Sequence, residues 1–206
     1  MKKLYFILIL VNVTTYTFAQ TINYGVKAGL NLSTLSLRSP GFPNLGENTT
    51  GWNMGVIADF GFSTFSIQPG LFYSTKGDKV VALLVNNNQQ SAGIFTGINK
   101  LYYIELPVNI LYKIKLIQGA NIHLGGGPYL GYEISSGLSV NGGTVSPAFS
   151  THYNNPDYGL NFILGAEFEN KFIVDAGYGL GLANLSGGGT TLQNRVISFS
   201  VGYLFR

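Results

Sequence analysis

The chain has 206 residues, a length that suits one domain. Only 10% of the residues are charged while 46% are hydrophobic. A soluble globular domain usually carries about 25% charged residues, so the composition disfavours such a domain and favours a surface in contact with lipid. The absence of cysteine excludes disulfides and thiolate metal sites.

The N-terminus predicts a cleaved export signal over residues 1–19. Lys2-Lys3 forms a basic start, Leu4–Val13 is apolar apart from one asparagine, and Thr17-Phe18-Ala19 supplies a small residue at the cleavage position. The apolar stretch is too short for a membrane-spanning helix. We therefore expect a barrel domain over residues 20–206, with ten basic and nine acidic residues. This near-neutral balance gives no indication of nucleic-acid binding.

Eight segments of the mature chain alternate between apolar and polar residues, the period of a β-strand. In the first segment Tyr24, Val26 and Leu30 fall on one face, and Lys27 and Asn31 on the other. All charged residues lie on the polar faces or in turns, which predicts that the apolar faces never meet water. In chain order the segments are Tyr24–Leu32, Trp52–Phe62, Phe65–Tyr73, Tyr102–Ile114, Ile122–Ile134, Tyr158–Phe168, Phe172–Leu180 and Ile197–Phe205.

The connections between these segments alternate strictly between long and short. The long loops are predicted at 34–51, 78–99, 136–156 and 186–195, and the short turns at Ser63-Thr64, Gln118-Gly119-Ala120 and Glu169-Asn170-Lys171. Outer-membrane barrels show this asymmetry, with long extracellular loops and short periplasmic turns. The sequence therefore predicts an all-β protein: an eight-stranded antiparallel up-and-down transmembrane β-barrel in the outer membrane.

Aromatic residues on the apolar faces predict two belts at the two lipid–water interfaces. The belt near the long loops comprises Trp52, Tyr73, Tyr102, Tyr132 and Tyr158, and the belt near the short turns comprises Phe60, Phe65, Tyr112, Phe168, Phe172, Tyr203 and Phe205. Ordinary strand propensity of aromatic residues is the alternative explanation for any one of them.

Charged residues on the polar faces predict a network inside the barrel. Eight strands leave an interior that side chains just fill, and five cations can pair there with six anions. The cations are Lys27, Lys76, Lys113, Lys115 and Arg206, and the anions are Asp59, Glu105, Glu133, Asp157, Glu167 and Asp175. We expect a structural salt-bridge network that plugs the lumen; a narrow ion path or a proton-sensitive plug is the alternative.

Five motifs spread over the mature chain resemble the outer-membrane β-barrel family of Bacteroidota, often labelled porin family or PorT-like. They are Gly25–Ser33, Gln68–Tyr73 followed by Lys76-Gly77, Tyr103–Val108, Gly126–Gly131 and Asp157–Gly159. The resemblance implies the barrel and its insertion by the barrel-assembly machinery. It implies no substrate, because this family is defined by its fold. It also tolerates prolines within strands, as at Pro69, Pro107 and Pro128.

Catalytic, metal and cofactor sites are not predicted. His123 is expected to face inward and to make a structural hydrogen bond, and His152 falls in the third long loop near Ser150 and Asp157. A hydrolase using these loop residues is one alternative function, although proximity in sequence is not triad geometry. An exported soluble barrel that binds an apolar ligand is another.

The expected role is structural, surface-interacting or narrowly transporting, without enzyme activity. The expected partners are outer-membrane lipids, the assembly machinery and an unidentified extracellular ligand at the long loops, since loops usually carry recognition.

Overall fold

A computed structural model describes residues 21–38, 46–85, 91–116, 119–140, 143–144, 156–169, 171–186 and 191–205. The expected signal peptide over 1–19 lies outside the described residues, as do Arg206, Ser150 and His152. Within the described part of the chain there is no helix long and apolar enough to cross a membrane.

Ten strands form one antiparallel sheet. They are β1 (Thr21–Arg38), β2 (Gly46–Glu47), β3 (Thr49–Gly61), β4 (Phe65–Val85), β5 (Ser91–Lys115), β6 (Ala120–Val140), β7 (Gly143–Thr144), β8 (Asp157–Phe168), β9 (Phe172–Gly181) and β10 (Thr191–Phe205). Each of the eight long strands pairs with its neighbours in chain order, and β1 pairs with β10 to close the ring. The prediction of an all-β, eight-stranded antiparallel up-and-down barrel is confirmed.

The two-residue periodicity of the sequence sets the two surfaces of the barrel. On β1, Tyr24 and Leu30 are 62% and 66% exposed, whereas Lys27 and Asn31 are 6% and 2% exposed. Successive side chains of a strand point to opposite faces, so one register places the apolar residues outward and the polar residues in the lumen. This arrangement is the reverse of a soluble barrel, in which the outward face would be polar.

The predicted long loops are shorter than expected because the strands continue into them. The region 78–99 contains the end of β4 and the start of β5, which stay paired from Asp78↔Asn99 to Val85↔Ser91. The predicted loop boundaries were therefore wrong at this connection. The apolar run from Val80 to Val85 lacks the alternation that marked the other strand segments, so the sequence did not predict this extension of the hairpin.

Two of the strand prolines coincide with interruptions of the hydrogen-bonded ladder. The β3–β4 pairing stops at Ile67 and resumes at Gly70, on either side of Pro69. The β5–β6 pairing stops at Pro107 and resumes at Ile110. Proline has no N–H to donate, and the ladder accommodates it by a gap in pairing without a change of register.

The residues of the two predicted aromatic belts lie on the outer face, and each is exposed or half-buried. Near the long loops, the ring centroids of Trp52 and Tyr73 are 5.1 Å apart and those of Tyr73 and Tyr102 are 6.2 Å apart. Near the short turns, the rings of Phe172 and Tyr203 pack edge to face at 5.3 Å. Aromatic contacts of this kind stabilise neighbouring strands, and the interfacial role of the belts stays a prediction.

Candidate functional site

The lumen is the candidate functional site, because it holds the buried charged residues of the described chain. Apart from Glu133, they separate into two groups along the barrel axis. We call the group nearer the short turns the short-turn chain; it comprises Glu167, Lys113, Asp59, Gln68, Lys27, Asp175 and His123. We call the group nearer the long loops the long-loop cluster; it comprises Lys76, Glu105, Asp157, Tyr129, Tyr103 and Asn194.

The short-turn chain begins at Glu167, which lies 3.2 Å from the ammonium nitrogen of Lys113; the same nitrogen lies 2.6 Å from Asp59. Asp59 also accepts a hydrogen bond of 3.4 Å from the side-chain amide of Gln68. The carbonyl oxygen of that amide accepts one of 2.7 Å from Lys27. The glutamine therefore joins two ion pairs into one connected system, because its amide donates at one end and accepts at the other.

The other end of the short-turn chain is a carboxylate shared by two nitrogen atoms. Lys27 lies 2.6 Å from one oxygen of Asp175, and His123 lies 2.7 Å from the other oxygen. The His123 contact is a hydrogen bond when Nε2 carries a proton, as in the protonated ring and in one neutral tautomer, and an ion pair only when the ring is protonated. Buried charges persist only when they are paired and hydrogen-bonded, and this carboxylate meets both conditions.

The seven members of the short-turn chain come from seven different barrel strands. In order they lie on β8, β5, β3, β4, β1, β9 and β6, and only β10 is not represented. A connected set of side chains that reaches across the ring fills the width of an eight-stranded barrel. The lumen is therefore crossed by polar side chains at this level.

The long-loop cluster is built around Lys76, which is 4% exposed. Its ammonium group forms ion pairs with Glu105 and, at 3.0 Å, with Asp157. It also lies 5.0 Å from the ring centroid of Tyr103 and 4.5 Å from that of Tyr129, within the range of cation–π attraction. One cation thus has two carboxylates and two aromatic faces as partners.

Asp157 of the same cluster is fully buried, at 0% exposure. Besides Lys76, it accepts a hydrogen bond of 2.8 Å from Asn194 and longer contacts from the hydroxyl of Tyr129. Ion pairs buried this deeply are stable only when further hydrogen bonds satisfy the remaining lone pairs, and these neutral donors supply them.

An apolar cap lies toward the long-loop end of the lumen. Its members are Leu35, Leu101, Tyr103, Ala183 and Leu185, with Leu192 packed against them. The segment after β9 contributes two of these residues, and hydrogen bonds from the backbone N–H groups of Leu182 and Ala183 to the carbonyl of Tyr158 hold its start. The alternating pattern did not predict this cap. Tyr103 lies on the face assigned to polar residues, Leu35 and Leu192 fall in predicted long loops, and Leu101, Ala183 and Leu185 fall outside the predicted strand segments.

A second apolar cluster also lies on the inner face, nearer the short turns. It consists of Ile57, Ile173 and Leu204, with Phe72 packed against them. The sequence analysis assigned the inner face by its charged and polar residues, and it therefore did not identify these apolar residues as lumenal.

Between the two ionic groups lies a cavity of about 120 Å³. Lys76, Glu105 and Tyr129 line it at one end, and Lys27, Gln68 and Asp175 at the other; side-chain amides and hydroxyls between them include Asn31, Asn53, Asn109, Asn161, Ser74, Ser198 and Ser200. Apolar side chains, among them Ile57, Phe72 and Val196, share the wall with these polar groups.

Glycine at position 165 makes room for part of the short-turn chain. A Cβ atom there would overlap the carboxylate of Asp175 and the imidazole of His123, and would approach the backbone carbonyl of Val174 to 2.6 Å. Glycine has no Cβ, so the His123–Asp175 contact can form directly over this strand. Gly165 is thus part of the ionic arrangement.

Three of the predicted lumenal charges are not members of either ionic group. Glu133 is buried, as expected for an inward position. Lys115 was predicted to face inward but is exposed, because it is the last residue of β5 and lies beyond the barrel interior. Arg206 lies outside the described residues. Among the described residues, no group of three or more histidine, aspartate or glutamate side chains could hold a metal ion.

Comparison with known proteins agrees with this architecture. A family described as "Outer membrane protein beta-barrel domain" matches residues 18–187. No curated protein matches the chain.

Several solved structures are similar to the chain. Neisserial surface protein A has 14% identity and a TM-score of 0.47, and the alignment covers 88% of this chain and 97% of that protein. Ail of Yersinia pestis has 15% identity and a TM-score of 0.42, with 89% and 98% covered. OprG of Pseudomonas aeruginosa has 9% identity and a TM-score of 0.39, with 91% and 97% covered. Since the family match extends over most of the sequence, the chain belongs to the outer membrane protein β-barrel domain family and is an outer-membrane protein.

Proposed function

We propose that this protein is a closed outer-membrane barrel whose role is structural or surface-interacting, and that its lumen does not serve as a diffusion pore. The observation that carries the proposal is the short-turn chain, which joins residues of seven strands across the lumen. The long-loop cluster and the apolar cap obstruct the same passage nearer the long loops. A solute would have to break buried ion pairs at two levels to cross.

The strands that project past the aromatic residues support a role at the cell surface. On β4, about a dozen residues follow Tyr73, which at roughly 3.3 Å per residue extends about 40 Å along the strand. The paired extension includes Val80↔Gly97 and Leu84↔Gly93. We propose that an extracellular ligand contacts this extension and the neighbouring long loops, because projecting segments on a rigid scaffold commonly carry recognition.

We also propose that the protein is exported, processed and then inserted into the outer membrane. The basic start, the apolar stretch and Ala19 support cleavage of residues 1–19 as a signal peptide, followed by insertion of residues 20–206 by the barrel-assembly machinery. The five sequence motifs support a place in the porin-family, PorT-like branch found in Bacteroidota. Outer-membrane lipids are the proposed contact of the apolar outer face.

We propose no enzyme activity. The described histidine, His123, is buried and bonded to Asp175 in the lumen. Asp157, which the hydrolase alternative would need, is fully buried and engaged with Lys76 and Asn194. A lipid and peptide hydrolysis screen of the purified barrel and of His152→Ala is expected to give the same background rate for both.

Planar-bilayer recording tests the closed lumen. The purified wild type is expected to insert without steady current steps. The variant that combines Lys113→Met with Glu105→Gln breaks ion pairs at both levels and is expected to show fluctuating currents. Lys79→Met is the matched control, because Lys79 pairs with Glu47 at 3.2 Å on the exposed extension, and it should behave as the wild type. A steady large conductance of the wild type would refute the proposal.

A further inference from the structure

We propose that the outer face of the barrel carries a binding site for the phosphate headgroup of an anionic membrane lipid, with Lys100 as its cation. The site lies on β4, β5 and β6, just beyond the aromatic belt near the long loops. The inference rests on the proposed contact of the apolar outer face with outer-membrane lipids, and it names the headgroup chemistry at one place on that face.

Lys100 lies on the outer face of β5. Its neighbour Leu101 and the next inward residue, Tyr103, are both buried at 0% exposure, so alternation directs Lys100 and Tyr102 outward. Lys100 is exposed, and its ammonium group has no ion-pair or hydrogen-bond partner among the described residues. An outward cation without a protein partner is available to an external anion.

The position of Lys100 along the strand places its ammonium group among lipid headgroups. β5 runs from the long loops toward the short turns, so Lys100 lies two residues beyond Tyr102 on the long-loop side. At roughly 3.3 Å per residue and a tilt of about 45°, this step is about 5 Å along the membrane normal. Interfacial aromatic rings lie at the level of the headgroups, and a lysine just beyond them reaches the phosphate layer.

Glycine occupies both positions directly opposite Lys100. Gly77 of β4 pairs with it on one side, and Gly137 of β6 on the other. Residues directly opposite each other in antiparallel strands share one face of the sheet, so no side chain stands beside Lys100 on either neighbouring strand at this level. A Cβ atom at Gly137 would meet no atom within 4 Å. The surface around the ammonium group is therefore open to a bulky anionic group.

Three aromatic side chains lie on the membrane side of this opening. Trp52, Tyr73 and Tyr102 follow one another on β3, β4 and β5, with ring centroids 5.1 Å and 6.2 Å apart. Such a surface suits the glycerol and the first acyl carbons of a lipid, and a lysine at the membrane surface attracts an anionic headgroup. The two features together indicate a lipid instead of a soluble anion.

Two other cations at this end of the barrel are already engaged. Lys79 lies 3.2 Å from Glu47, and the guanidinium group of Arg195 donates to the backbone carbonyl of Gly181 at 2.7 Å. The phosphate of phosphatidylcholine has a cation attached to it covalently, whereas that of phosphatidylglycerol has none. The anionic lipid therefore gains more from Lys100 and is the class that we expect at this site.

Fluorescence quenching of Trp52 tests the site, because Trp52 is the single tryptophan of the chain. The purified barrel is reconstituted in phosphatidylcholine vesicles with a minor share of phosphatidylglycerol, and either one lipid or the other carries bromine on its acyl chains. Bromine quenches tryptophan on contact, so the two arms report which lipid lies against the belt. We expect about fivefold enrichment of phosphatidylglycerol over its share in the vesicle, and a smaller enrichment in high salt.

Two variants remove the site in different ways. Lys100→Gln removes the charge and is expected to abolish the enrichment. Gly137→Leu keeps the charge but fills the open space beside it, and it is expected to do the same. Lys115→Gln is the matched control and should keep the enrichment, because Lys115 is an exposed lysine without a described ion pair at the other end of β5. Heat-modifiable gel mobility shows that each variant is folded.

The possible failures can be told apart. Phosphatidylglycerol at Trp52 only in proportion to its share, or an equal loss of enrichment in both lysine variants, would overturn the inference and leave the lipid contact of the outer face standing. Absence of quenching by either brominated lipid would overturn both. Glycerol phosphate added at constant ionic strength should leave the enrichment unchanged; its loss would assign the opening to a soluble phosphate and refute the lipid site.

Discussion

Replacing Lys76 by methionine tests whether the long-loop cluster is an ionic arrangement or only a packing of side chains. Methionine keeps most of the volume and length of the lysine stem but has no charge. The change would leave Glu105 and the fully buried Asp157 facing each other without a cation. Asp157 would keep the hydrogen bond of 2.8 Å from the amide of Asn194, so it would lose only part of its stabilising contacts.

The expected magnitude follows from the burial of the pair. Removing one partner of a buried ion pair costs about 3–5 kcal/mol in the free energy of unfolding, because the remaining charge stays buried. The exposed pair of Lys79 and Glu47, in which the side chains are 36% and 56% exposed, should contribute only about 0.2–1 kcal/mol. The two lysines lie three residues apart on β4 and provide a matched comparison.

Urea unfolding of the barrel in lipid vesicles measures the difference. With a dependence on urea of about 2 kcal/mol per molar, Lys76→Met should lower the midpoint by about 2 M and Lys79→Met by less than about 0.5 M. Adding Asp157→Asn to Lys76→Met should recover part of the loss, since one uncompensated carboxylate is removed. Equal midpoints for the two lysine variants would refute the ionic interpretation of the cluster.

Three further outcomes are expected from the same assay. Gly165→Ala should destabilise the barrel by about 1–3 kcal/mol, because its Cβ would overlap side chains of the short-turn chain, whereas Gly137→Ala, with nothing within 4 Å of its Cβ, should not. Leu164→Arg, on the outer face near the middle of β8, should cost about 2–4 kcal/mol in vesicles; a loss below about 1 kcal/mol would contradict a lipid contact. Burial raises the pKa of Asp78, on the extension of β4 outside the apolar band, although a hydrogen bond with Asn99 opposes the shift. The stability that protonated Asp78 contributes is present below its ordinary pKa of 3.8 and is lost as pH rises through the raised pKa. The urea midpoint of the wild type should therefore fall as pH rises from 3.8 through the raised pKa, and it should fall less in Asp78→Asn.

Residue alternation was sufficient to predict the ring and its two surfaces. The exposed Tyr24 and the buried Lys27 follow directly from their positions in the first segment, because a strand has a fixed period of two. The inward apolar residues Ile57 and Leu204 could not be assigned in the same way. Each lies at a lumenal position where a polar residue was expected. The identity of a single residue does not show which side chains it will contact across the barrel.

Individual ion pairs were beyond the reach of the sequence. Lys27 and Asp175 are 148 positions apart in the chain, and which cation meets which anion depends on the stagger of all the strands between them. The sequence predicted that the charges would face the same interior. It gave no signal for Gln68 as the link between two pairs or for Asn194 as a donor to Asp157, because both are common neutral residues on a polar face.

The absence of β10 from the short-turn chain bears on how the cylinder is sealed. Described lumenal residues of this last strand, such as Asn194, Ser198 and Leu204, are neutral. β10 therefore adds no described charged side chain to the buried interior; its one described cation, Arg195, is half-buried and donates to the backbone carbonyl of Gly181. The electrostatic cost of burying charged side chains in the lumen falls on the other seven strands. Backbone hydrogen bonds and apolar contacts hold β10 between β1 and β9.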